Sequence, residues 1–421
     1  MWPKLIANKF LSKRLGSNNF VADFPTEALH DIPEDLLHQK SSITETTFTH
    51  HKDTHHHKVF VSTWNVGGLP PPEDLNIEDW LDIDDTSCDI YVLGFQEVVP
   101  LRAANVLGFE NSKITMRWNS VIREALNKKN QEDMKAKTIK NCKWIFGSSN
   151  SRDFKCIISK QMVGIFISVW IRNELCPYIR HRSVSCVGCG IMACLGNKGS
   201  VSVRFQLHET RFCFVCSHLA SGNREGDERY RNSNAIEILS RTTFPRGPSF
   251  DLPQKILDHD QVVLLGDLNY RISLPEAKTR LLVDKGEWNT LLEYDQLRME
   301  LMEGQVFDCW HEGIINFAPT YKYCPNSDVY YGSVEGEKRR APAWCDRIIW
   351  YGNGMKQQEY SRGESKLSDH RPVKAIFTAD VEILRKSKFY QSFFLSDSFE
   401  RITSKLDMYP ASCNDRPSFQ V

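Results

Sequence analysis

The 421-residue sequence has no excess charge of either sign, with 53 Lys and Arg against 53 Asp and Glu. A generally basic nucleic-acid coat is therefore excluded. Nor is there an apolar run of membrane length. The uncharged apolar run 163–171 is about half of the roughly 20 residues that a spanning helix needs. The start, Met1-Trp2-Pro3-Lys4-Leu5, lacks the apolar centre of a secretory signal, and the end, Ser418-Phe419-Gln420-Val421, lacks a prenylation cysteine. An intracellular protein is expected, cytoplasmic, with the nucleus and the membrane periphery left open. A disulfide framework is also missing, because the 13 cysteines are odd in number and scattered among apolar runs. Cys186/Cys189 and Cys213/Cys216 have the spacing of zinc ligands. In a strand, however, residues three apart face opposite ways, so buried thiols are the expectation for Cys213 and Cys216.

What is present is 41% apolar residues and enough length for a large core. Length alone leaves a choice between two or three domains and one sheet-rich unit. Short β-rich runs at 59–64, 90–95, 163–171, 183–187, 200–207, 212–217, 262–265, 347–351 and 373–377 read as strands. Helical stretches at 118–137, 225–239 and 274–285 lie between them. No βαβ period repeats, so mixed α/β layers in one domain over 59–380 are expected, with a tail at 381–421. Residues 1–58 read as a polar, partly irregular extension. It ends in His50, His51, His55, His56 and His57, which have no evident acidic or cysteine partner and read as a solvated run. Residues 1–15 carry apolar and basic side chains without an acid, compatible with an interfacial helix, with docking on the protein's own body, or with disorder.

Several apolar runs end in side chains that can hold metals and phosphates. Residues 59–64 run into Asn65, 90–95 into Gln96-Glu97, 212–217 into His218, and 262–266 into Asp267-Leu268-Asn269. Each has a bland reading as a cap, turn former or core histidine. Together, at one sheet edge, they would line a cleft of the kind that holds active sites in layered α/β folds. Asp346 opens a further strand and His370 precedes the last one, so a carboxylate could fix the imidazole and favour its cationic form. The basic run Glu337-Lys338-Arg339-Arg340 and the segment Pro319-Thr320-Tyr321-Lys322-Tyr323 bring cations near this set in sequence, suited to an anionic substrate.

The motifs STWNVGG at 62–68, FQEVVPL at 95–101, LGNKGSVSV at 195–203, SHLASG at 217–222, GDLNYRI at 266–272, PTYKY at 319–323, RRAPAWCDRIIW at 339–350 and RGESKLSDHRPV at 362–373 resemble, in order, those of the inositol polyphosphate 5-phosphatases. This family lies within the deoxyribonuclease I-like phosphoesterases, and the plant type I branch matches in particular. A lone SDHRP or GDLN would indicate only the superfamily, whereas PAWCDR after a basic cluster is specific to the 5-phosphatases. Asn234 stands where many relatives carry an aspartate.

The resemblance implies an α/β four-layer sandwich, two packed mixed β-sheets flanked by helices. It implies a Mg²⁺ cofactor held by Glu97 with Asn65 nearby and Asp369 in support. Asp267 would orient and deprotonate water, Asn269 would hold that water or a phosphoryl oxygen, and His218 and His370 would contact phosphate, with Asp346 pairing His370. Tyr321, Lys322, Lys338 and Arg340 would hold the 4-phosphate beside the scissile 5-phosphate. The expected partners are inositol polyphosphates or phosphoinositide headgroups. Lysines at 128, 129, 135, 137 and 140 are compatible with transient contact with an anionic membrane, although a solvated helix accounts for them as well. The alternatives are a nuclease or phosphodiesterase of the same superfamily, or a non-catalytic inositol-phosphate-binding scaffold.

Overall fold

A computed structural model describes residues 19–23, 50–83, 88–107, 112–128, 153–190, 195–246, 252–332 and 340–386. The strands are β1 (His50–Asn65), β2 (Ile90–Gln96), β3 (Phe154–Met162), β4 (Ile165–Arg172), β5 (Ile179–Gly188), β6 (Gly199–Leu207), β7 (Thr210–His218), β8 (Gln261–Asp267), β9 (His311–Glu312), β10 (Asp346–Tyr351), β11 (Met355–Arg362) and β12 (Val373–Lys386). They form two six-stranded mixed sheets, ordered β11-β12-β1-β2-β4-β3 and β5-β6-β7-β8-β10-β9. Each has one parallel pair at its centre, β1 with β2 and β7 with β8, and antiparallel neighbours elsewhere.

Alternation along these strands explains the layers, since successive side chains point to opposite faces. Val59, Val61, Ile90, Val92, Phe214, Cys216, Val263 and Leu265 meet between the sheets. Phe60, Trp64, Tyr91, Leu93 and Phe95 face outward onto the helix Lys113–Asn127, which presents Trp118, Ile122, Ala125 and Leu126 at helical spacing. Cys213, Val215, Val262 and Leu264 face the other way, onto Ala235 and Ile238 of the helix Glu228–Arg241. The result is the expected four-layer sandwich. Because central strands are covered on both faces, they read as continuous apolar runs. Cys213 and Cys216 lie in different cores, as strand parity requires.

Several expectations are corrected. Val163 does not open a strand: it is a turn residue with φ +53° between β3 and β4, and β3 was missed because Lys155, Ser159, Lys160 and Gln161 interrupt its apolar pattern. Strand β11, MKQQEYSR, is a polar sheet edge, a position that needs no second buried face. The histidines at 50–57 are not irregular but belong to β1, which pairs with β12 beyond the reach of the other strands. They do have acidic partners: His56 Nδ1 lies 2.7 Å from Asp380 Oδ1 and His57 Nδ1 3.3 Å from Asp89 Oδ2. Those aspartates come from distant segments, which local sequence does not reveal. The helix expected at 118–137 begins earlier, at Lys113, and residues 129–152 lie outside the described residues, as do 1–15 and Lys338. No helix among the described residues is long and apolar enough to cross a membrane.

Candidate active site

Parity and register together build the site. Asn65, His218, Asp267 and Asp346 all occupy inward-facing positions at strand ends, and all are almost completely buried. In the second sheet His218 lies opposite Asp267, and Asp267 opposite Asp346, so three adjacent strands deliver three functional groups at one level. In the first sheet Asn65 pairs with Gln96, which puts Glu97 one residue beyond that edge. Strand β12 runs antiparallel to β1, so its approach segment brings His370 to the same end. The groups therefore meet between two sheets rather than along one.

Asp267 is the centre. Its Oδ2 accepts a bond from Asn65 Nδ2 at 2.9 Å, across the sheet interface, and lies 3.2 Å from His218 Nε2 and 4.0 Å from His370 Nε2. Its Oδ1 accepts from the Asn269 amide N–H at 3.2 Å. Burial opposes ionisation of Asp267, but the charges of His218, His370 and Lys198 outweigh it and hold the carboxyl well below the usual range. For His370 burial opposes the cation, yet Asp346 and Asp267 overcome it and raise the imidazole to about 9. The contact responsible is His370 Nδ1 to Asp346 Oδ2 at 2.9 Å. His218 shifts the opposite way, lowered by burial and by the Lys198 charge.

Oxygen donors gather on the first-sheet side. Asn65 Oδ1 accepts from Gly67 N at 3.0 Å, and Gly68 N donates to Glu97 O at 2.7 Å, tying the turn to Glu97. A Cβ on Gly67 would meet Asp369 Oδ1 at 3.4 Å, so Asp369 flanks the same turn. Glu97 and Asn269 both adopt left-handed φ, +54° and +58°, a conformation that in non-glycine residues concentrates at functional sites. A second grouping, Asp267, Asp346 and His370, offers ligand atoms within 4.8 Å of one another and could also hold a metal.

Beside Asp369 and His370, Tyr321 bridges Ala343 and His370, and its ring lies 4.6 Å from the His370 ring. Lys322 pairs with Asp369 at 2.9 Å and faces the Tyr321 and Tyr331 rings. Arg340 Nη1 approaches the side-chain amide of Asn223, in the loop after SHLASG. Asn234 accepts from the Ala220 amide at 3.0 Å and so steadies that loop.

Three residues at the site carry no role in the sequence reading. Lys198 Nζ contacts His218 Nε2, because Gly199 is the register partner of His218. Thr320 Oγ1 donates to Asp346 Oδ2 at 2.7 Å. Arg271 Nη2 donates to Asn269 Oδ1 at 2.7 Å. All three lie inside recognised motifs, LGNKGSVSV, PTYKY and GDLNYRI, and that position was the available signal.

This constellation on a two-sheet sandwich defines a phosphoesterase class. The model of the endonuclease/exonuclease/phosphatase family 2 matches residues 62–376, and the chain belongs to that family. Type IV inositol polyphosphate 5-phosphatase 9 of Arabidopsis thaliana is 63% identical over 413 residues, covering 97% of this chain and 98% of its own. Type I inositol polyphosphate 5-phosphatase 8 of the same plant is 45% identical over 420 residues, covering 92% and 87%. Within the family, therefore, the chain is one of the inositol polyphosphate 5-phosphatases, which are phosphoric monoester hydrolases. Relatives of both numbered types occur, so the match to plant enzymes is not confined to type I. The crystal structure of the 5-phosphatase domain of SPsynaptojanin, in complex with inositol (1,4)-bisphosphate and calcium ion, superposes with TM-score 0.66 at 28% identity, covering 85% of this chain and 93% of that one. A Cimex nitrophorin, at TM-score 0.52 and 19% identity, covering 77% and 99%, shares the fold alone.

Proposed function

We propose that the chain removes the 5-phosphate from inositol headgroups that also carry a 4-phosphate, with Mg²⁺ as cofactor and water attacking in line. The observation that supports this most is Asp267, ionised, buried and surrounded by Asn65, His218, His370 and Lys198. In the free enzyme those neighbours make Asp267 a weak base. An incoming phosphate dianion engages the same cations, so the basicity of Asp267 rises when substrate is bound, and the carboxylate can then take a proton from water. Asn269 orients that water or a phosphoryl oxygen. Cationic His370 spreads charge over the phosphoryl group, and Lys198, whose ammonium burial disfavours until an anion arrives, and His218 add contacts to it.

Glu97, Asn65 and Asp369 would together offer oxygen ligands only, which suits a hard cation that keeps several waters. The Asp267, Asp346 and His370 grouping suits it less, because Asp346 Oδ2 already accepts from His370 and Thr320. When bound, Mg²⁺ would supply Lewis-acid stabilisation of phosphoryl oxygens. Tyr321, Lys322, Lys338 and Arg340 would hold the 4-phosphate. Inositol (1,4)-bisphosphate, present in the synaptojanin complex, is what remains when inositol 1,4,5-trisphosphate loses its 5-phosphate. Soluble and lipid substrates share this headgroup, and transient contact with an anionic membrane would bring the lipid form to the site.

The test is phosphate release from inositol 1,4,5-trisphosphate with and without a chelator, in wild type and Asp267→Asn. The expected result is loss of roughly 100- to 10,000-fold in kcat for the mutant and loss of activity on chelation that Mg²⁺ reverses. Undiminished turnover by D267N would remove Asp267 as the base, and full activity in chelator would remove the metal.

A further inference from the structure

We propose that Arg271 is a positioning residue that ties the loop gripping the 4-phosphate to the group holding the attacking water. This rests on the roles given above to Tyr321 and Asn269. The Arg271 guanidinium reaches Asn269, two residues back, and two segments distant in sequence. Nη2 donates to Asn269 Oδ1 at 2.7 Å, Nη1 lies 3.1 Å from Sγ of Cys345, which immediately precedes Asp346, and the guanidinium carbon stands 4.6 Å from the Tyr321 ring centroid.

The root of the side chain is equally fixed. Arg271 N donates to Gln296 Oε1 at 2.9 Å, Gln296 N donates to Arg271 O at 2.9 Å, and Arg231 Nη2 donates to the same Gln296 Oε1 at 2.7 Å. Asn269 is thereby held at both ends of its amide, since its Nδ2 donates to Leu219 O at 3.2 Å. With the oxygen bonded to Arg271, the amide cannot flip and its second N–H keeps one direction. The Tyr321 face rests on the same cation, so a shift of the substrate loop moves the guanidinium that sets Asn269. A planar fork can serve all three contacts at once, and a lysine ammonium cannot.

The test compares wild type, R271M, R271K, R271A, N269A and N269A/R271M on inositol 1,4,5-trisphosphate and on inositol 1,5-bisphosphate. For R271M on the trisphosphate, kcat should fall about 100-fold, the cost of slight misplacement of a reacting group, with KM little changed and the unfolding midpoint near that of wild type. The loss should be smaller on the bisphosphate, which leaves the 4-phosphate subsite empty. R271K should not restore the rate, added guanidinium ion should restore part of it to R271A, and N269A/R271M should be no slower than N269A. Multiplicative losses in the double mutant, recovery in R271K, or equal losses on both substrates would overturn the inference while leaving the 5-phosphatase reading intact. A wild-type enzyme that releases no phosphate from the trisphosphate would instead overturn that reading, and this inference with it.

Discussion

Two buried histidines face one carboxylate, and their surroundings drive them apart. His370 has Asp346 behind Nδ1 and is raised to about 9, whereas His218 lies against the Lys198 ammonium and is lowered. One imidazole is thus a standing cation, while burial and Lys198 disfavour the cationic form of the other. If the cation is what binds the phosphoryl oxygens, kcat/KM for phosphate release should hold across neutral pH and fall as pH rises through about 9, where His370 loses its proton. Asp346→Asn removes the anion that favours the proton, so the alkaline limb should move to lower pH by roughly one to three units. The wild-type and D346N profiles on one headgroup suffice, and an unmoved limb would detach it from His370. At this scale the sequence was informative about residue types. Asn65, His218 and Asp267, each singled out at the end of an apolar run, come together around one carboxylate, whereas Gln96 turns to Thr63 and Cys216 in the core. Lys198, Thr320 and Arg271 were not legible, since each acquires its role through a cross-strand or loop contact with a residue 20, 26 or 2 positions away.

Elements hold these groups by packing rather than by local propensity. Where the sheets approach closely at Gly94 in β2, a Cβ would come within 2.8 Å of Leu265 Cδ1 and 2.9 Å of Cys216 Sγ. Gly94→Val should therefore lower unfolding free energy by about 1–3 kcal/mol, the usual cost of overpacking, read as a lower urea midpoint. Strand β10 is anchored one residue after Asp346 by the buried Arg347, which bonds Asp295 at 2.9 Å and Glu312 at 2.5 Å. Arg347→Met leaves two buried carboxylates without their cation and should cost about 3–5 kcal/mol, whereas the triple change R347M/D295N/E312Q should recover much of that. A single mutant as stable as wild type would show that the ion network contributes nothing to holding β10. Central strands, apolar on both faces, were legible in the sequence. Strands β3 and β11 were not, because polar residues break their apolar pattern, and the histidine-rich start of β1 was not, because its pairing partner β12 lies more than 300 residues away.

For the whole molecule, the sandwich brings two sheet edges together and leaves the chemistry to the loops that rim them. The Cimex nitrophorin shares that architecture at 19% identity, so the fold by itself does not choose the reaction; the rim does. Lys322 is the described rim cation best placed to decide it, paired with Asp369 at 2.9 Å and set against the Tyr321 and Tyr331 rings. A 4-phosphate arriving there would exchange with Asp369 for the ammonium, gaining a charge-assisted bond. Lys322→Ala should then lower kcat/KM on a 4,5-bisphosphate headgroup by roughly 10- to 100-fold, as loss of a hydrogen bond to a charged group implies. Turnover of a headgroup carrying only the 5-phosphate should change little, so the mutant loses preference for adjacent phosphates rather than activity as such. A nuclease or phosphodiesterase built on the same cleft would be indifferent to K322A and would cleave nucleic acid. Measuring both substrates in wild type and mutant separates these outcomes, because only a 5-phosphatase that reads the neighbouring phosphate loses the one rate and keeps the other.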